Sequence, residues 1–342
     1  MKDELRRLGE FGLIARLAKL CPTTSPQVRL GVGDDAAIVR PRPNTELLVT
    51  TDVLVEGVDF ERGNTPFDRL GEKALAANLS DIAAMGGRPT VFFVSLSLPA
   101  RASVREAEAL YRGLGRCAKR YNVALGGGDM SSAPCWSVAV TVLGEVARGR
   151  ALTRAGARAG DLLCVTGTLG DSGAGLALLQ RRGRLPRGLV RSHARRLIDR
   201  HQLPTARLIV GQQLAAHRLA TAAIDLSDGL AADVRHLCEA SNVGVEIDLP
   251  ALPISTALRR YAETVGHDPI RFALGGGEDF ELLVTIPPEN LARAQRLAAD
   301  DTPLTVIGRV TPARRGLVMI DGAGRRRPLS VAGYEHFRVL KR

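Results

Sequence analysis

Runs rich in β-branched residues and runs with helical spacing take turns along this chain, and that alternation constrains its fold more than any other feature. Glu46–Gly57 (ELLVTTDVLVEG) reads as a strand or hairpin, Gly71–Met85 as an alanine-rich helix stopped by Gly86-Gly87 and Pro89, and Val91–Leu98 as a strand. Ser103 with Glu106 forms a capping-box signature for a helix running to about Tyr121, with Val104, Ala107, Tyr111, Leu114 and Ala118 at helical spacing. A short strand leads into Gly126-Gly-Gly128, and a longer one covers Ser137–Val146. Past the polar, glycine-punctuated stretch Arg148–Asp161 the alternation resumes. Strands are expected at Leu162–Thr166, Ala222–Leu226, Val243–Leu249 and near Glu281–Ile286, Leu304–Val310 and Gly316–Ile320. Helices are expected at Gly173–Arg182, Thr205–His217 and about Asp228–Ser241. The 342 residues are enough for two domains, so the pattern predicts a two-domain α+β protein divided into residues 1–147 and 148–342.

Composition narrows the function. No apolar run approaches the roughly 18 residues that a membrane span needs. The N-terminus, MKDELRRLGEFGLIARLAKL, mixes acids into its first turns and lacks a signal-peptide core, so a cytoplasmic enzyme without membrane attachment is expected. Cys21, Cys117, Cys135, Cys164 and Cys238 are scattered with no C-x-x-C pair, and read as small buried hydrophobes in a reducing compartment. The net charge is +11, yet only five of the 47 basic residues are lysine, and the arginines are densest in Arg181–Arg196 and Arg314–Arg327, runs that glycine and proline interrupt. Aromatics are 4% and no helix-turn-helix, zinc-finger or RNP pattern occurs, so the basicity reads as a solvated surface, with anionic small substrates a second contributor, and not as a nucleic-acid interface. The six histidines show no paired metal spacing and read as structural or surface residues.

The stretch Gly31-Val-Gly-Asp-Asp-Ala-Ala-Ile-Val39 matches the G-x-G-x-x-A dinucleotide fingerprint only formally. A pyrophosphate needs bare backbone N–H groups at a helix start, whereas Asp34 and Asp35 repel it and a strand follows. No G-x-x-x-x-G-K-[ST] loop is present, nor the protein-kinase signatures. What remains is a distributed set of acids: Asp34 and Asp35, Asp52 inside a strand, Asp81 inside a helix, Asp129 after three glycines, Asp225 and Asp228 around Leu226-Ser227, and Glu278 with Asp279 after Gly275-Gly-Gly277.

Taken singly, each acid has a bland reading as a turn, a helix N-cap or an Asx-turn. Asp52 and Asp81 resist it, because an unpaired carboxylate among apolar neighbours costs several kcal/mol. Two short sequence echoes, Leu79-Ser-Asp81 with Gly-Gly-Gly-Asp129 and Leu226-Ser-Asp228 with Gly-Gly-Gly-Glu-Asp279, put acids at helix starts and glycine turns in both halves. Converging carboxylates are offset naturally by divalent cations, and a set of carboxylates with Thr50 and Thr51 but no interleaved His or Cys suits hard ions, Mg²⁺ first. Glycines at 126–128, 275–277 and in Gly170-Asp-Ser-Gly-Ala-Gly175 let backbone approach phosphates.

In their order along the chain, these motifs resemble the aminoimidazole-ribonucleotide-synthetase-like superfamily of ATP-dependent enzymes, and within it the family of bacterial thiamine-monophosphate kinases. The resemblance runs through Gly9-Glu-Phe-Gly-Leu-Ile14, Gly33-Asp-Asp35, Thr50-Thr-Asp52, Val55-Glu-Gly-Val-Asp-Phe60, Lys73-Ala-Leu-Ala-Ala-Asn-Leu-Ser-Asp81, Ala84-Met-Gly86 and Gly127-Gly-Asp129. It continues through Ala151-Leu-Thr-Arg154, Val165-Thr-Gly167, Ile224-Asp-Leu-Ser-Asp-Gly229, Gly276-Gly-Glu-Asp279 and Gly333-Tyr-Glu-His-Phe337. It implies a two-domain α+β fold with an N-terminal α/β sheet domain that dimerises and a C-terminal α+β domain. It also implies in-line transfer of the ATP γ-phosphoryl to thiamine monophosphate, giving thiamine diphosphate and ADP without a covalent enzyme intermediate. Several Mg²⁺ ions would be held by Asp35, Thr50, Thr51, Asp52, Asp81, Asp129, Asp225 and Asp228. ATP would meet Gly128, Asp129, Arg154 and Ser227, and the thiamine substrate Asp59, Glu278 and Tyr334. Asp34 is expected to shape its turn or sit in an outer shell.

Two residues depart from the family pattern: Asp59 stands where histidine is usual, and Met130 where threonine usually follows Gly-Gly-Asp. An aspartate at 59 is expected to face the cationic portion of the substrate. Another ATP-dependent enzyme of the same superfamily, acting on a different acceptor, is the alternative.

Overall fold

The computed structural model describes residues 2–181, 184–299 and 302–330. The chain forms two compact units, one made of the chain up to Ile82 with Gly87–Gly149, the other of Ala83–Gly86 with the chain from Arg150 onward.

The first unit runs α1 (Lys2–Ala18), β1 (Val28–Leu30), β2 (Ile38–Val39), β3 (Thr45–Val55), α2 (Phe67–Ala84), β4 (Arg88–Leu98), α3 (Val104–Tyr121), β5 (Ala124–Ser132) and β6 (Ser137–Ala147). Its main sheet has the order β3-β6-β4-β5. β3 and β6 are antiparallel over their full lengths, from Thr45 opposite Ala147 to Val55 opposite Ser137, and β4 runs parallel to β5. Strand alternation gives this sheet two unlike faces. One carries Leu48, Val142, Phe92, Val140 and Val94, all buried, and α2 lies on it with Ile82 against Gly144. The other face presents Leu47, Val49 and Val53, exposed by 46%, 63% and 50%.

The predicted α3 has both halves of its capping box. Ser103 Oγ accepts from the Glu106 N–H at 3.3 Å, and the Glu106 carboxylate accepts from the Ser103 N–H at 2.9 Å. Asn122 closes the helix in the left-handed region, φ 54°.

The second unit contains β7 (Leu162–Thr166), α4 (Asp171–Gln180), α5 (Arg191–Gln202), α6 (Leu208–Ala216), β8 (Ala222–Asp225), α7 (Leu230–Ser241) and β9 (Val243–Asp248). It continues with α8 (Thr256–Val265), α9 (Pro269–Gly275), β10 (Leu282–Ile286), α10 (Leu291–Ala298), β11 (Leu304–Pro312), β12 (Leu317–Ile320) and β13 (Arg326–Pro328). Its sheet has the order β13-β12-β9-β11-β7-β10-β8, antiparallel except for β12 beside β9. β10 is buried along its whole length and β7 from Leu163 onward, so both of their faces are covered, as their unbroken apolar runs require. Leu163, Val165, Ile224 and Leu283 pack with Leu230, Val234 and Leu237 of α7 in one core, and α4, α5 and α8 share a second around Leu178, Leu197 and Leu258.

Two readings are corrected. Gly126–Gly128 lie inside β5, which runs on to Ser132, so they are strand residues and not a turn. The basic run after Arg181 is solvated as expected, with Arg184, Arg187, Arg191, Arg195 and Arg196 exposed, and it additionally forms the helix Arg191–Gln202, which buries Ala194, Leu197 and His201 on one side. The two sequence echoes differ in structure, since Asp81 lies in the last turns of α2 while Asp228 precedes α7. The cysteines are free, four of them buried with thiols pushed up to about 12 by that burial, and Cys135 is half-buried. Among the described residues no helix is long and apolar enough to cross a membrane.

Candidate active site

In the first unit the acids gather where β3 passes under α2. Thr50 and Asp52 are two apart on a strand and therefore point to the same face, the one α2 covers. Thr50 Oγ1 donates to Asp81 Oδ2 at 2.5 Å. The Asp52 carboxyl is pushed up to about 6, first by the protein atoms that crowd water from it and then by the Asp81 carboxylate, although the residue keeps an open solvent edge. Thr50, Asp52 and Asp81 thus form one oxygen cluster. The Thr51 side chain points the other way, accepting from Thr141 Oγ1 at 3.0 Å.

Asp129 belongs with Thr51. It lies opposite Ser95, in register with Ala139 and Val53, and so faces the uncovered side of the sheet. Gly128 must lack a side chain, because a Cβ there would stand 2.1 Å from the Val94 carbonyl. Asp34 and Asp35 are both exposed, and Asp34 Oδ1 accepts the Asp35 N–H at 2.8 Å, so Asp34 shapes the turn and Asp35 presents its carboxyl beyond it. Asp59 folds its carboxylate back onto the Val55 N–H at 2.8 Å.

In the second unit the site is a turn clamped by a loop. β8 ends at Asp225, and α7 starts after Gly229, whose φ of 102° only glycine adopts without strain. Neither Asp225 nor Ser227 is the helix N-cap. Asp233, one turn into α7, accepts the Asp228 N–H at 3.2 Å. Its carboxyl is pushed up to about 8, by burial first and then by the Asp225 and Asp228 carboxylates. The loop Gly275–Phe280 stitches to this turn: the Glu278 N–H donates to the Ser227 carbonyl at 2.7 Å and the Phe280 N–H to the Leu226 carbonyl at 2.9 Å. Glu278 and Phe280 both hold left-handed conformations, φ 62° and 50°, which costs about 1 kcal/mol or more for residues with a Cβ. Arg154 is exposed ahead of β7, its carbonyl accepting from Ser241 Oγ at 2.7 Å. Tyr334 and the motif around it lie outside the described residues, as does Arg182.

Two N–H groups of the glycine-rich segment at Gly170 are already taken: Asp279 accepts the Gly170 N–H on Oδ2 at 2.6 Å and the Ser172 N–H on Oδ1 at 3.2 Å. Burial pushes the Asp279 carboxyl up to about 8 against those two donors and the Arg200 charge. Asp171 is buried too, and holds Thr168 and Ser255.

Sequence reasoning passed over Asp233, His201 and the buried Glu281, which receives Arg200, Arg207 and Thr166, each at 2.6–2.7 Å. For Asp233 a signal existed: an aspartate on the apolar side of a helix, the same oddity that singles out Asp81.

The donors fit a hard divalent cation. They are carboxylate and hydroxyl oxygens, and the two close carboxylates Asp52 and Asp81 raise each other's cost of ionisation, a cost that a cation removes. Among the described residues no three His, Cys, Asp or Glu side chains gather into a metal cage. A carboxylate pair with substrate phosphates and water is the set that Mg²⁺ uses.

The sequence matches the family of AIR synthase related proteins, its N-terminal domain over residues 33–146 and its C-terminal domain over 158–321. It is 42% identical to the thiamine-monophosphate kinase of Escherichia coli (strain K12) over 332 residues, which cover 96% of this chain and 98% of that protein. The crystal structure of thiamine-monophosphate kinase from Stenotrophomonas maltophilia K279a is 40% identical with a TM-score of 0.80, over 91% of this chain and 96% of that one. AaThiL complexed with AMPPCP and TMP is 37% identical with a TM-score of 0.76, over 98% and 99%.

Proposed function

The chain belongs to the AIR synthase related family, and from that premise we propose that it is an ATP-dependent thiamine-monophosphate kinase, moving the γ-phosphoryl of ATP onto the phosphate of thiamine monophosphate to yield thiamine diphosphate and ADP. The observation that carries this is the near full-length likeness to a kinase structure holding AMPPCP and TMP. The oxygen-rich, glycine-supported clusters of both units agree with it.

In-line phosphoryl transfer asks the protein mainly to position two anions and offset their charge. Mg²⁺, when bound, would neutralise charge on the transferring phosphoryl group. Several Mg²⁺ ions would be needed. Thr50, Asp52 and Asp81 would hold one on the covered face of the first unit's sheet, and Thr51 and Asp129, which face the other side, would serve a separate ion. Asp35 would be a further ligand, and Asp225 and Asp228 would bind metal on the second unit. The Thr50 hydroxyl fixes Asp81, and Asp233 fixes the turn that presents Asp228. Gly128, Asp129, Arg154 and Ser227 would contact ATP. Glu278, Asp59 and Tyr334 would contact the thiamine portion, a cation that carboxylates suit.

Residues 1–147 would form the ATP- and Mg²⁺-binding, dimerising domain and 148–342 the second domain, with the enzyme a cytoplasmic homodimer. The uncovered sheet face with Leu47, Val49 and Val53 supports that dimer, since contiguous apolar surface of this kind is commonly an interface. The test is ADP release with ATP and Mg²⁺, comparing thiamine monophosphate, thiamine and no acceptor. Turnover that ignores thiamine monophosphate would overturn the reading in favour of another acceptor.

A further inference from the structure

Glu278 is held more tightly than a surface loop residue needs to be. Its backbone is strained at φ 62° and pinned through its N–H to Ser227. Its carboxylate Oε2 lies 3.2 Å from Nδ1 of His201, which is 4% exposed in the last turn of α5. The same Nδ1 lies 3.1 Å from Ser172 Oγ in the first turn of α4. The turn carrying His201 grips the loop beyond Glu278 as well: Arg200 donates to the Asp279 carbonyl at 3.3 Å and to the Glu281 carboxylate at 2.6 Å. Ser172 closes the circuit, its N–H donating to Asp279.

The chemistry of these contacts assigns roles. A carboxylate only accepts, so Nδ1 must carry the proton to bind Glu278, while a hydroxyl can accept from Nδ1 or donate to it. Both contacts use one ring nitrogen. His201 therefore cannot take the Ser172 proton while Glu278 orients it from the opposite nitrogen, and a nucleophilic triad is excluded. What the arrangement can do is aim a carboxylate.

We propose that His201 is a positioning residue for the acceptor site: its Nδ1–H holds Glu278 through Oε2 before and during binding, so that the carboxylate is aimed at a cationic nitrogen heterocycle, with the Ser172 hydroxyl sharing the same Nδ1–H. This rests on the kinase reading above, in which Glu278 meets the thiamine portion.

The experiment uses the full chain with ATP, Mg²⁺ and thiamine monophosphate, measuring kcat and each KM, with thermal melts to confirm folding. Wild type comes first, and no turnover with thiamine monophosphate would remove the kinase reading and this one with it. Given turnover, His201→Leu should raise the acceptor KM about tenfold, the effect of losing a hydrogen bond to a charged group, and leave the ATP KM within about twofold. His201→Asn places its amide nitrogen near Nδ1, His201→Gln near Nε2. Asn should therefore recover most of the acceptor KM and Gln should not. In a Glu278→Gln background, His201→Leu should add less than about a twofold change. Gln rescuing as well as Asn, both KM values moving together, or effects that multiply in the double variant would each overturn the proposal. The Asn and Gln variants keep the site polar, so the comparison stands even where His201→Leu fails to fold.

Discussion

Glu281 fits into the second unit because residue 167 has no side chain: a Cβ on Gly167 would stand 2.2 Å from Glu281 Oε1. Glu281 is fully buried between Arg200 and Arg207 and cannot retreat into solvent. Gly167→Ala should therefore cost about 3 kcal/mol, by breaking a buried ion cluster. Gly266→Ala is the control, since Gly266 has a similar φ of 68° and nothing within 4 Å of a Cβ, and should cost about 1 kcal/mol. Urea melts of both variants check the difference.

Asp52→Asn and Asp81→Asn should each lower kcat by at least about 100-fold in folded protein, because each removes charge from the Thr50–Asp52–Asp81 cluster. Thr50→Val, which removes the hydroxyl that donates to Asp81 and with it a proposed ligand oxygen, should cost about 10- to 100-fold. Steady-state rates over a Mg²⁺ titration, with melting curves alongside, are the measurement.

The Asp233 carboxyl is pushed up to about 8 in the fold, against 3.8 as its ordinary value. The folded state therefore keeps a proton that the unfolded chain loses, and the resulting stability is full below about pH 4 and lost as pH rises toward 8. Relative to Asp233→Asn, the wild type should lose stability between pH 5 and 8 by up to about 1.4 kcal/mol per pH unit. Melts at pH 5, 6.5 and 8 in metal-free buffer test it. Parallel pH profiles for the two proteins would show that Asp233 is ionised throughout.

Asp59→His, which restores the usual family residue, should shift the KM for thiamine monophosphate several-fold and leave the ATP KM unchanged. It also removes the acceptor for the Val55 N–H, worth about 1 kcal/mol of stability. Separate KM determinations and a melting curve distinguish the two effects. An unchanged acceptor KM would place residue 59 away from the substrate.

A charge in the middle of the uncovered sheet face should weaken the proposed homodimer. Val49→Lys would bury an unpaired ammonium there and is expected to raise the dimer dissociation constant about 100-fold or more. Sedimentation velocity over a dilution series measures this.

The fold was legible wherever a local rule decides it. α3 announces itself through its capping box, β7 and β10 through short unbroken apolar runs, and β3 through its β-branched residues. α5 was hidden because seven of its twelve residues are charged or histidine, and only Ala194, Leu197 and His201 mark its buried side. The acids of the candidate site could be named from sequence, since carboxylates in strands and helix interiors are anomalies of composition. Their grouping could not. That Thr50 faces Asp81 while Thr51 faces Thr141 follows from strand parity and from which sheet face a distant helix covers. His201 was invisible for a similar reason, its partners Ser172 and Glu278 lying 29 and 77 positions away in a register that tertiary packing sets.

The Asp279 carboxylate at the start of α4 has a consequence for how any phosphate is bound. A helix start is the commonest place for a fold to catch a free anion, and here the seat is taken by a residue of the same chain. Sulfate or inorganic phosphate from solution would have to compete there with the Asp279 carboxylate for the Gly170 and Ser172 N–H groups. Discrimination between a nucleotide and the small anions around it then falls to groups that recognise more than negative charge.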